Sequence, residues 1–185
     1  IGLVIIIALA PIIYNFVLSE YQQNRIKVFL NPELDPLDTG YNAIQSKIAI
    51  GAGKIFGTGL LHGTQTQFGY LPVKSSDFIF SAISEEMGFV ASAAIIIIYT
   101  IMIIRMINIS NTAKDNFGAI VAIGIAGMYM FHLIENVGMT LGLLPITGIP
   151  LLLVSYGGSS MLTSFISLGL LLSISGRRQR SLFVR

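Results

Sequence analysis

Cysteine is absent from the 185 residues, which excludes disulfides, zinc ribbons and thiol catalysis and leaves the redox compartment unread. Charge is scarce. Only 11% of residues are Asp, Glu, Lys or Arg, against about 25% in an ordinary soluble domain. Hydrophobic residues make up 54% and the mean hydropathy is +0.78, so a water-soluble globule is excluded and an all-α polytopic membrane protein is expected. The net charge is only +2, and four of the eleven basic residues (Arg177, Arg178, Arg180 and Arg185) crowd the C-terminus. No basic face precedes them, so they read as a membrane-anchoring tail and not as a nucleic-acid patch. No linker divides the chain.

Residues 1–18 carry no charge. A helix of that length rises about 27 Å, close to the ~30 Å hydrocarbon core. The chain opens at Ile1 inside this run. Ala8-Leu9-Ala10 resembles a signal-peptidase site, but no basic segment precedes it and Pro11 follows the cut. The expectation is a piece of a longer protein with earlier spans upstream. Residues 87–104 and 117–134 are further charge-free runs, and from Asn136 to Ser175 no charge occurs for 40 positions. That is too long for one crossing, and Pro145, Gly148, Pro150 and Gly157-Gly158 mark the breaks. Two outcomes stay open: an outer loop followed by a fourth helix, or a re-entrant segment lining a cavity, where protein or water must cover the backbone. The expected spans are about 1–18, 84–104, 117–135 and 150–175, with a large structured loop over 19–83.

Orientation follows from basic residues near span ends. The C-terminal arginines place the tail in the cytoplasm, and counting back puts Arg105 and Lys114 on the same side. The 19–83 loop then lies outside. Its basic residues (Arg25, Lys27, Lys47, Lys54, Lys74) are offset by Glu20, Glu33, Asp35, Asp38 and Asp77, and long loops translocate largely regardless of charge.

Within this loop, Asn31-Pro32 and Asp35-Pro36 are turn formers. Tyr41, Ile44 and Ile48 then fall on one helical face, a helix that lies either on the membrane surface or against its own spans. Gly51, Gly53, Gly57 and Gly59 beside Lys54 suggest a phosphate cradle. However, Ile48 stands where a P-loop needs its first glycine and Ile55 follows the lysine, so nucleotide binding is rejected. Close backbone packing is the better use of these glycines. Asp77 is the informative residue. It precedes Phe78-Ile79-Phe80 where the next helix enters the bilayer, and a carboxylate partly desolvated at such a border makes a better base. The plainer alternative is that Ser76 or Asp77 caps that helix. His132 and Glu135, three apart on the third span, read as a hydrogen-bonded pair sooner than as metal ligands.

Taken in order, several motifs resemble the SEDS family, the shape, elongation, division and sporulation proteins of bacteria. They are Asn31-Pro32 to Asp35-Pro36, Gly40-Tyr41, Gln45-Ser46, the spaced glycines, Tyr70-Leu71-Pro72, Asp77-Phe78-Ile79-Phe80 and Glu85-Glu86 with Gly88. Asn136-Val137-Gly138-Met139, Leu144-Pro145-Ile146-Thr147-Gly148-Ile149-Pro150 and Ser155-Tyr156-Gly157-Gly158-Ser159-Ser160 match the same family's C-terminal signature. The match covers nearly the whole chain as the C-terminal portion of a ten-span protein, and Thr64-Gln65-Thr66-Gln67 looks more like the rod-shape branch than the division branch.

The resemblance implies a peptidoglycan glycosyltransferase that polymerises lipid II, an undecaprenyl-diphosphate-linked disaccharide-peptide, during elongation and shape maintenance. It also implies a class B penicillin-binding protein as partner, and membrane lipids as surroundings. The family's catalytic aspartate falls on Asp77. The candidate substrate-binding residues are Lys74, Gln45, Gln65, Gln67, Glu86, Ser155, Gly157 and Gly158. Many members carry Glu-x-His-Thr before the aspartate, whereas this chain has Val73-Lys74-Ser75-Ser76. Transfer from an α-linked donor to a β-linked product needs one base for the acceptor hydroxyl and cations for the departing diphosphate. Lys74, Lys54 and Lys47 are the cation candidates, with a divalent ion as the alternative. A lipid II flippase and a non-catalytic scaffold for cell-wall synthases are the competing readings.

Overall fold

The computed structural model describes residues 19–71 and 75–177. The expected span at 1–18, Lys74, and the arginines Arg178, Arg180 and Arg185 lie outside the described residues. Among the described residues, regular secondary structure is helical throughout.

Helix α1 (Glu20–Leu30) starts from a reciprocal cap. Ser19 Oγ accepts from Gln22 N at 3.4 Å and Gln22 Oε1 accepts from Ser19 N at 3.0 Å. It stops at Asn31-Pro32, where one 3-10 turn (Pro32–Leu34) redirects the chain into α2 (Thr39–Gly53). The buried face of α2 is made of Gly40, Ser46, Ala49 and Gly53, while Ile44 and Ile48 point outward. Small residues let two backbones close up: a β-carbon on Gly53 would sit 1.8 Å from the Ser84 carbonyl oxygen. The helix therefore packs on the spans through its small residues and not through the Tyr41/Ile44/Ile48 stripe. A single turn, α3 (Thr64–Gln67), comes next.

Helix α4 (Ile79–Asn111) is broken at Gly88, whose φ of 75° and ψ of −171° no α-helix contains. The broken turn is mended by the loop after α2. Phe89 N donates to Lys54 O at 2.9 Å and Val90 N to Ile55 O at 3.2 Å, while Thr58 N and Gly59 N donate to the Glu85 and Glu86 carbonyls at 2.9 and 3.0 Å. Gly57 and Gly88 make this approach feasible, since a β-carbon on either would lie within 2.3 Å of the other segment's backbone. Of the spaced glycines, Gly53 and Gly57 serve close backbone packing, whereas Gly51 has open space beside it and Gly59 meets only the His62 side chain.

Helices α5 (Asn116–Leu141) and α6 (Gly158–Gly176) complete the bundle. Asp115 caps α5 by accepting from Gly118 N at 2.7 Å, and Gly142 ends it in the left-handed conformation. Between them residues 143–157 form no regular helix, so the helix expected from about 150 begins at Gly158. This connection is not a surface loop. Leu151 and Leu152 are buried in the core formed by Tyr99, Ile103, Met106, Ala122, Tyr129 and Leu171, and Tyr99 Oη donates to the Leu152 carbonyl. Among the described residues, α4, α5 and α6 are long and apolar enough to cross a membrane.

Candidate functional site

Asp77 sits half-buried in the turn before α4. The helix begins without a side-chain cap, with Phe78 at the N-cap position, so neither Ser76 nor Asp77 is spent on capping. The Asp77 Oδ1 instead accepts the Ser76 hydroxyl at 2.8 Å. Oδ2 faces Gly148, where an added β-carbon would stand 3.1 Å away. Gly148 has φ of 73°, so glycine is favoured there by conformation as well as by space.

The turn is held from outside its own helix. Ser75 O accepts from Tyr156 N at 2.8 Å, Ser76 O from Ser155 Oγ at 2.6 Å and Asp77 O from Asn136 Nδ2 at 2.9 Å. Ser155 Oγ also accepts from Leu151 N at 2.8 Å, and Asn136 Nδ2 also donates to Ile149 O at 2.8 Å. Three consecutive carbonyls are thus claimed by α5 and by the 143–157 connection, while the carboxylate, among the described residues, is bonded only by the Ser76 hydroxyl. His132 and Glu135 are not paired with each other. His132 Nδ1 meets the Pro150 carbonyl and Glu135 Oε1 accepts the Thr147 hydroxyl, both at 2.8 Å. Together with Asn136, they make one polar face of α5 that fastens residues 147–150.

Gln65, Gln67 and Glu86 meet at a second cluster, about two helical turns beyond Asp77. Buried Glu85 organises it by accepting from Gln65 N at 2.8 Å, Thr66 N at 3.0 Å and Thr64 Oγ1 at 3.4 Å. Gln67 Nε2 and Thr66 Oγ1 donate to Glu86 Oε1 at 3.3 and 3.4 Å. Gln45 lies half-buried on α2, and among the described residues no hydrogen bond links it to the Asp77 turn. Gly157 is the N-cap of α6, and Gly158 has open space beside it. Lys47 folds over Gly142 and lines a narrow crevice with Arg25, whose guanidinium donates to the Ile146 carbonyl. Lys54 ends α2 and lines an apolar cavity of about 380 Å³ with Phe80 and Ser84. Among the described residues no three His, Asp or Glu side chains gather into a metal-binding set.

The family model described as cell cycle protein, which covers FtsW, RodA and SpoVE, matches residues 1–180. The chain belongs to this family. The FtsW/RodA/SpoVE assignment agrees with individual relatives. The chain is 50% identical over 162 residues to the peptidoglycan glycosyltransferase RodA of Treponema pallidum (strain Nichols), covering 88% of this chain and 37% of that protein. It is 40% identical over 179 residues to the peptidoglycan glycosyltransferase MrdB of Escherichia coli (strain K12), covering 97% and 48%. Among solved structures, a chain from a peptidoglycan synthase complex that coordinates polymerization and crosslinking superposes with a TM-score of 0.76 at 30% identity. That likeness covers 97% of this chain and 49% of the other. The chain therefore spans less than half the length of these relatives.

In this FtsW/RodA/SpoVE protein, sequence reasoning named Asn136, Gly148, Glu85 and Ser76 only as motif, break or cap residues and gave none of them a place in the site. One signal was available for Asn136: it is a polar side chain four residues after His132 in an apolar span, and such groups face the protein interior.

Proposed function

We propose that this chain carries the acid–base half of a peptidoglycan glycosyltransferase that polymerises lipid II, with Asp77 as general base. The acceptor hydroxyl oxygen attacks the anomeric carbon of the donor, the bond to the diphosphate breaks, and the hydroxyl proton passes to Asp77 Oδ2. The observation that carries this reading is the state of the carboxylate. It is half-buried, freed from helix capping, held by one hydroxyl on Oδ1, and without a hydrogen bond on Oδ2 from the described residues, where it lies against a glycine. Removing such a base typically costs about a hundred- to ten-thousand-fold in rate.

Further support comes from the names and contexts of the relatives, including a structure that is itself a synthase complex. By the same reading the protein lies in the bacterial cytoplasmic membrane with its 19–83 loop outside. There it works in cell elongation with a class B penicillin-binding protein, and Lys47, Lys54 and Lys74 are its candidates for the departing diphosphate. The test is polymerisation of purified lipid II by the full-length protein with its partner. Asp77→Asn keeps the size of the side chain but cannot take the proton, and near-complete loss of product at normal membrane levels is expected. An Asn variant that polymerises at the parental rate would remove Asp77 as the base, and a parental protein that forms no polymer would leave the scaffold or flippase reading in its place.

A further inference from the structure

Asn136 offers neither an acid nor a base, yet its amide joins the two halves of the site. The side chain is fully buried. Both hydrogens of Nδ2 are committed, one to Asp77 O at 2.9 Å and one to Ile149 O at 2.8 Å. Since both partners are carbonyls, the amide has one workable orientation, with the nitrogen toward them and Oδ1 away. Oδ1 is also buried and has no hydrogen-bond partner among the described residues. A buried oxygen left in that condition is destabilising, so an amide is a poor choice if packing were its only purpose. His132 and Glu135 on the same face fasten the 147–150 segment as well, but Asn136 is the one of the three that also holds the Asp77 turn.

We propose that Asn136 is a positioning residue for glycosyl transfer. By fixing the Asp77 carbonyl relative to Ile149, it keeps Oδ2 set against Gly148, in the orientation that receives the acceptor hydroxyl. It touches no substrate and moves no proton. This inference rests on the reading of Asp77 as the base. Misplacing a reacting group by about 1 Å can cost on the order of a hundredfold, and an effect of that kind falls on kcat.

The experiment uses full-length protein with its partner and purified lipid II. Asn136→Ala should lower kcat about ten- to a hundredfold per folded molecule while KM stays within about twofold. Asn136→Asp, which turns an oxygen toward two carbonyls, should do at least as much. Ser46→Ala is the control for a purely structural clamp. Ser46 Oγ bonds the Ser81 hydroxyl at 2.7 Å and Thr140 O at 2.8 Å in an equally buried place, with no hydrogen bond to residues 75–77, so its loss should lower thermal stability and leave kcat per folded molecule unchanged. In an Asp77→Asn background, Asn136→Ala should cost nothing further, because a positioning residue acts only through the group it positions. Should the Ala variant fail to accumulate, Asn136→Ser retains one donor and carries the same comparison. An unchanged kcat, a rise in KM alone, or a full additional loss in the double variant each overturns the proposal. A parental rate in Asp77→Asn alone would instead overturn the reading of the base.

Discussion

A single missing β-carbon separates Asp77 from its neighbour. Gly148 holds a φ of 73°, and a methyl group there would come to 3.1 Å from Oδ2. Gly148→Ala therefore brings two penalties. The left-handed backbone costs a non-glycine residue roughly 1–2 kcal/mol, and the carboxylate must give way by a few tenths of an ångström. The expected outcome is a modest drop in thermal stability with a fall of about tenfold or more in polymerisation per folded molecule. An Ala variant with the parental rate would show that this face of the carboxylate is not where the hydroxyl arrives. At this scale the sequence was partly legible. Asp77 could be picked out because a charge at an apolar border is conspicuous on its own. Its holders could not, because Asn136 and Ser155 make their bonds to residues 59 and 79 positions away, and no local pattern encodes such a pairing.

Among the elements, α2 shows how a periodic stripe can mislead. Tyr41, Ile44 and Ile48 do share a face, but the inward face is the one whose residues are small enough for α4's backbone to approach. The break in α4 was equally hidden, since Gly88 stands at the head of an apolar run that reads as an ordinary span. The loop between α2 and α4 depends on Glu85, a carboxylate with 0% exposure that accepts two backbone amides and a hydroxyl from α3. In Glu85→Gln one of those donors faces an NH₂ group. A buried donor left unpaired costs about 1–3 kcal/mol, and the loss should be local. Limited proteolysis between α2 and α4 should accelerate in the variant, with sites near exposed Leu60 and Leu61 cut first. Unchanged protection would mean that the glycine crossings alone hold this loop.

For the molecule as a whole, low charge and apolar runs made the helical class legible, because the bilayer permits so few backbones. Helix limits were less so. The span expected over 84–104 is the inner part of a helix that runs from Ile79 to Asn111, and its Glu85 and Glu86 are absorbed by bonds from the preceding loop. Sidedness is checked with single cysteines in a cysteine-free full-length background. Leu37→Cys, at a position 93% exposed, should react with an impermeant maleimide on intact cells, and Asn111→Cys at the far end of α4 should not; labelling at 111 alone would reverse the topology. Synthesis imposes an order in time on the same molecule. The Asp77 turn is closed by Asn136, Ser155 and Tyr156, the first two lying 59 and 79 positions downstream of their partners, and ribosomes add about 5–20 residues per second. For roughly 4–16 seconds after Ser76 is made, its carbonyl has no partner to meet. A nascent chain thus acquires every lipid-facing surface of α4 before it has a finished turn, and a molecule stalled ahead of Ser155 would be a membrane protein without an assembled site.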